Sequence, residues 1–94
     1  MEDTLANTAS AKKRIRQNAK RRIRNQIYSS QARTYVKRAR IALETNDAES
    51  AIDAVRQAVS KLDRAASKGV IHRKNAARRK SRLMKRLAAL EETS

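Results

Sequence analysis

The sequence predicts an all-α protein: a three-helix bundle with a long, basic first helix projecting beyond it. Three observations carry that expectation. The 94 residues include no proline, one glycine, no tryptophan and no phenylalanine, which removes the turn and strand formers of a sheet protein and favours long helices. Apolar residues recur at steps of three and four in three segments, the spacing of a helix face. Finally, 24 Lys and Arg stand against nine acids, a formal net charge of +15. Self-repulsion of that size opposes a compact state unless a polyanion offsets it.

The first helix is expected over residues 10–45, with Ser10 as its N-cap and residues 1–9 as a flexible N-terminus. At a rise of 1.5 Å per residue it would span about 50 Å. Tyr28, Ala32, Tyr35, Ala39 and Ala42 line up on one side, with Val36 and Leu43 beside them. Ile15, Ala19 and Ile23 line up on nearly the opposite side. The half after Gln26 therefore has a bundle face, and the half before it does not continue that face. Tyr28 and Tyr35, seven apart on the bundle stripe, read as core residues rather than base-stacking platforms. Alone, the projecting half is expected to fray or be disordered, and to become helical against phosphate.

The second helix is expected over residues 46–68. Asn46 as N-cap with Glu49 three residues on has the capping-box spacing. Ala48, Ile52, Val55, Val59, Leu62 and Ala66 then form one stripe. Gly69, the only glycine, stands where a helix C-terminus takes a left-handed residue, with Val70 and Ile71 as its hydrophobic contacts. A third helix over residues 72–91 places Ala76, Leu83, Leu87 and Leu90 on one face and Lys74, Arg78, Arg82 and Lys85 on the other. Lys80 falls among the apolar positions, and its stem is expected to snorkel to solvent. The core is thin: roughly 12 to 15 aliphatic side chains, each worth about 1.5–3 kcal/mol before entropy is subtracted.

Charge is unevenly distributed along the chain. Residues 4–43 hold 12 bases and no acid, residues 47–68 four of each, and the chain from Gly69 eight bases and two acids. The neutral middle helix should therefore face away from a polyanion that the first and third helices bind. In "SAKKRIRQNAKRRIRNQ" the candidate contacts are Lys12, Lys13, Arg14, Arg16, Lys20, Arg21, Arg22 and Arg24. They point nearly all round the helix, which suits insertion between several phosphate walls better than lying on one surface. Each phosphate contact releases condensed counterions and makes binding salt-dependent. Arginine adds a forked donor that matches phosphate oxygens.

The second constellation is "KGVIHRKNAARRKSRL". His72, Arg73, Lys74 and Asn75 occupy the expected first turn of the third helix, where free backbone N–H groups favour an anion. His72 reads equally well as a capping residue. Arg78, Arg79 and Arg82 follow on the face that Ala76 and Leu83 leave free.

Other functions find little material. One histidine and no cysteine give no metal site, no cofactor and no nucleophile–base arrangement, so no enzyme and no small-molecule substrate are expected. No apolar run approaches the roughly 20 residues of a bilayer span, and the opening MEDTLANTAS lacks the pattern of a secretory signal. Without cysteine the chain also fits a reducing cytoplasm. A DNA-compacting architectural protein is the alternative within nucleic-acid binding, though the stripe breaks at Asn46 where a dimer seam would have to continue. A membrane-active amphipathic protein would need bulky apolar faces that the opening helix lacks.

The stretches "NTASAKKRIRQNAKRRIRN", "ALETNDAESA" and above all "KGVIHRKNAARRKSRL" resemble the bacterial small-subunit ribosomal protein twenty family. The resemblance covers roughly Ala6 to Leu90, and the chain departs from it in its leading MEDTL and in the tail from Glu91. It implies a three-helix bundle with an extended first helix that joins the small subunit early in assembly. It also implies direct binding to small-subunit ribosomal RNA, in the 5′ domain and the 3′ minor domain, beside other ribosomal components. Carried onto this chain, the contacts would be Lys12 to Arg24 and His72 to Arg82.

Overall fold

A computed structural model describes residues 2–93, with side chains from residue 8 to residue 92. The chain forms three helices, α1 (Glu2–Glu44), α2 (Ala48–Ser67) and α3 (Arg73–Thr93), joined by two short turns. Helix α1 packs chiefly against α2, and α2 against α3. The molecule measures 74 × 20 × 13 Å with a radius of gyration of 19.7 Å, against about 12 Å for a compact chain of this length. The excess is the arm of α1: from Thr8 to Ile27 every residue is exposed. The bundle proper starts at Tyr28, as the change of stripe after Gln26 requires.

Two expected helix starts move. Helix α1 begins at Glu2, so Ser10 lies inside it and is not its N-cap; residues 2–9 hold no Gly or Pro to stop the helix. The segment over residues 1–9, expected to lie outside the helix, is helical from residue 2, and residue 1 lies outside the described residues. Asn46 does not cap α2. It takes the left-handed conformation, φ 62°, and turns the chain out of α1, a role Asn tolerates better than most residues. Asp47 is the N-cap of α2, in an extended conformation and without a side-chain bond to the helix backbone. It accepts a 2.8 Å hydrogen bond from the Ser50 hydroxyl instead, so the Asn46–Glu49 capping box does not form.

The end of α2 follows the expected pattern. Gly69 has φ 74°; its N–H donates to the Ala66 carbonyl at 3.0 Å and the Val70 N–H to the Ala65 carbonyl at 2.9 Å. These are the paired bonds of a Schellman cap. Val70 and Ile71 then pack against the core. A Cβ at Gly69 would meet nothing within 4 Å, so the glycine is required by backbone conformation alone.

The core is built largely from alanine. Its buried members are Ala32, Val36, Ala39 and Leu43 of α1, Ala51, Val55, Ala58, Leu62 and Ala65 of α2, and Ala76 and Leu83 of α3. Ala32 and Ala39, and likewise Ala51, Ala58 and Ala65, recur every seven residues, two helical turns apart. Small side chains at that spacing let two helix backbones approach closely. This explains why the buried line of α2 is rotated from the expected stripe. Val55 and Leu62 belong to both, but Ala48, Ile52, Val59 and Ala66 are only half-buried. Alanines share the buried seam with Val36, Leu43, Val55 and Leu62, and Val59 and Ala66 pack against its edge. Tyr28 and Tyr35 pack against the core as expected, at its edge. Both are half-buried, and Tyr35 carries the Arg38 guanidinium at 5.0 Å and the Lys61 ammonium at 5.1 Å from its ring centroid. Lys80 does not simply reach into solvent: its Nζ meets Asp63 Oδ1 at 2.7 Å, tying α3 to α2.

Leu62 is the largest fully buried side chain, with 0% exposure. Leu62→Ala should cost roughly 2–5 kcal/mol, which at about 4–8 °C per kcal/mol lowers the melting temperature by at least about 8 °C; thermal unfolding followed by circular dichroism checks this. Gly69→Ala should cost about 1 kcal/mol through φ alone, with no loss of helical content below the transition.

Candidate nucleic-acid interface

Lys12, Lys13, Arg14, Arg16, Lys20, Arg21, Arg22 and Arg24 all stand exposed on the arm. The sequence offers them no acid between residues 4 and 43. Arg16 with Lys20, and Lys20 with Arg24, repel at the four-residue spacing. The arm therefore presents a dense row of phosphate-binding groups on a backbone already helical and in line with the bundle.

Helix α3 carries the second set. Arg73, Lys74, Arg78 and Arg82 are exposed, and Arg79 is half-buried. His72 is the cap of this helix. Its Nδ1 accepts the Lys74 N–H at 3.1 Å, and its carbonyl accepts the Ala76 N–H at 3.0 Å. One of the N–H groups expected to attract an anion is thus already satisfied by the histidine. Asn75 is half-buried, and its Oδ1 is buried with no hydrogen-bond partner, so its carbonyl oxygen is turned inward.

Two arginines missed by sequence reasoning complete this surface. Arg40 of α1 lines one groove with Arg78, Arg79, Arg82 and Arg86 of α3, over Val36 and Leu83. The lining includes no acid. Guanidinium groups gathered this way repel one another, and a phosphate chain laid between them relieves that repulsion. A signal for both residues was present: Arg40 follows the core residue Val36 by four, and Arg86 follows Leu83 by three. Each is one turn from a buried anchor and so lies beside the helix–helix seam. The two expected constellations remain separate surfaces, one on the arm and one on the bundle. The neutral α2 carries the acids Glu49, Asp53 and Asp63.

Fold and surface together define a helical protein that buries no charged side chain among the described residues and gathers cations without an acid along the arm and in the Arg40 groove, the mark of a polyanion-binding protein. The profile of the family described as ribosomal protein S20 matches residues 6–88. A small ribosomal subunit protein bS20 from Thermomicrobium roseum is 52% identical over 86 residues, 92% of this chain and 87% of the relative. The protein of that name from Roseiflexus sp. (strain RS-1) is 52% identical over 84 residues, covering 89% of this chain and 91% of its own. The one from Psychrobacter arcticus is 48% identical over 87 residues, covering 93% and 99%. The chain belongs to the ribosomal protein S20 family.

Replacing Arg40 and Arg86 together by Gln should lower RNA affinity and reduce the slope of log affinity against log salt by about 2, one for each phosphate no longer neutralised. Filter binding across a salt series measures both, and the melting temperature should hold, because neither residue is buried.

Proposed function

We propose that this chain is a structural component of the small ribosomal subunit that binds ribosomal RNA directly and has no catalytic role. Family membership supports the assignment. The observation that carries the mode of action is the arm: a run of exposed helix with eight cations and no acid from Ser10 to Gln26. Such a helix gains little from protein contacts and much from RNA phosphates on several sides. Lys12, Lys13, Arg14, Arg16, Lys20, Arg21, Arg22 and Arg24 hold phosphates along the arm. Arg73, Lys74, Arg78, Arg79 and Arg82, with Arg40 and Arg86, hold them on the bundle, while His72 and Asn75 act at the start of α3. Recognition rests on RNA shape and backbone rather than on base edges.

Two separated basic surfaces, one on the arm of α1 and one on the bundle, suit a protein that ties two RNA regions together early in assembly. The resemblance points to the 5′ domain and the 3′ minor domain as those regions, and to the ribosome of the cytoplasm, or of the equivalent bacterial-type organelle compartment, as the place of work. No helix of the described residues is long and apolar enough to cross a membrane.

The test is affinity for a 5′-domain fragment of small-subunit ribosomal RNA across a salt series, with plain duplex DNA as competitor. Binding that survives physiological salt and excess DNA is expected. Equal affinity for RNA and DNA, collapsing together as salt rises, would favour the DNA-compacting alternative. Lys20→Ala, Arg21→Ala and Arg22→Ala combined should weaken RNA binding and flatten its salt slope while leaving bundle melting within about 2 °C.

A further inference from the structure

The arm is not uniformly polar. Ile15, Ile23 and Ile27 are 67%, 60% and 51% exposed, and with Ala19 they stand at successive four-residue steps. Residues at that spacing form a continuous ridge on a helix surface. The neighbouring ridge on one side is Arg16, Lys20 and Arg24; on the other it is Arg14, Asn18, Arg22 and Gln26. A single apolar ridge thus runs along the arm between two ridges that carry cations. It faces nearly opposite to the buried side of α1, so the bundle cannot cover it.

We infer that the Ile15–Ala19–Ile23–Ile27 ridge is a sugar-packing edge that seats the arm in the minor groove of an RNA duplex. The inference rests on the RNA-binding reading and adds the orientation of the arm in that complex. Charge complementarity selects the occupant. An apolar partner brought onto the ridge must also accept cations along both sides, and a second copy of this chain would bring its own cations against them. An A-form duplex presents the required pattern. Its minor groove is wide and shallow and is lined by riboses, with a phosphate strand along each edge. Isoleucine branches pack on the ribose rings, Ala19 lets the helix backbone come close between Ile15 and Ile23, and the flanking Arg and Lys reach the two strands. Asn18 and Gln26, on the Arg14–Arg22 side, can hydrogen-bond ribose 2′-hydroxyls.

The experiment compares the native chain with an Ile15→Ala, Ile23→Ala, Ile27→Ala variant on deproteinised small-subunit ribosomal RNA, by filter binding across a salt series and by hydroxyl-radical footprinting. The substitutions remove no charge, and alanine is the better helix former. Weaker binding could then come neither from missing cations nor from a frayed helix. The expected result is an affinity lower by about tenfold or more with an unchanged salt slope, and loss of ribose protections that pair across a duplex minor groove. Native binding matched by the variant would overturn the inference and leave the RNA reading standing. Protections on unpaired nucleotides alone, or a native chain that sediments as a dimer when the variant is monomeric, would also overturn it. A native chain that fails to bind this RNA would remove the RNA reading itself, and the inference with it.

Discussion

Unbalanced positive charge is the constraint on which the other features depend. Twelve bases without an acid between residues 4 and 43 cannot be folded into a compact core, because close packing would bring like charges together in a poorly solvated space. The chain resolves this by extension. Half of α1 stays out of the bundle, and the paired half keeps its cations on the outer surface and at the Arg40 groove. The near-neutral α2 is placed where it can touch both other helices. A helix with the charge of α1 in the middle position would repel α3 along its whole length.

The alanine seam follows from the same constraint. A bundle that devotes so many residues to cations has few left for bulky apolar groups, and six of the eleven buried side chains among the described residues are alanine. Alanine contributes little area per residue, but it costs no side-chain entropy and allows close backbone approach. Stability then concentrates in a few larger groups, Leu62 and Val55 above all. Such a bundle is adequate as a platform for the arm. Ligand binding adds further stability, since anything that holds the folded state and not the unfolded one shifts the equilibrium toward it.

Most of the architecture was legible in the sequence. Gly69, with Val70 and Ile71 behind it, marked the end of α2, and the change of stripe after Gln26 marked where the bundle begins. The failures share a cause, which is competition among neighbours of similar local preference. Asn46 and Asp47 are both good caps; which one turns the chain depended on which would accept a positive φ. On α2, Ile52 and Val59 look like the centre of a core stripe, but the heptad alanines beside them allow a shorter interhelical distance. Lys80 found Asp63, 17 residues away, a pairing that no local pattern records. The basic constellations were evident, whereas Arg40 and Arg86 were not, because their grouping requires knowing how α1 lies beside α3. The inward turn of the Asn75 carbonyl was likewise not legible, because it depends on how α3 packs.

The continuity of α1 has a mechanical consequence. Arm and bundle are one helix without glycine, proline or a turn between them, so the arm's bearing and rotational phase are set by the seam that Ala32 and Ala39 make with α2. The helix acts as a keyed shaft. Each residue advances it by about 1.5 Å and turns it by about 100°. One residue added near Gln26 would thus barely lengthen the arm, yet would swing every side chain beyond it by more than a quarter turn relative to the Arg40 groove. Two surfaces that share no contact are held in angular register by backbone alone, and the spacing between Ile23 and Ala32 sets the angle at which the arm's cations stand to the Arg40 groove.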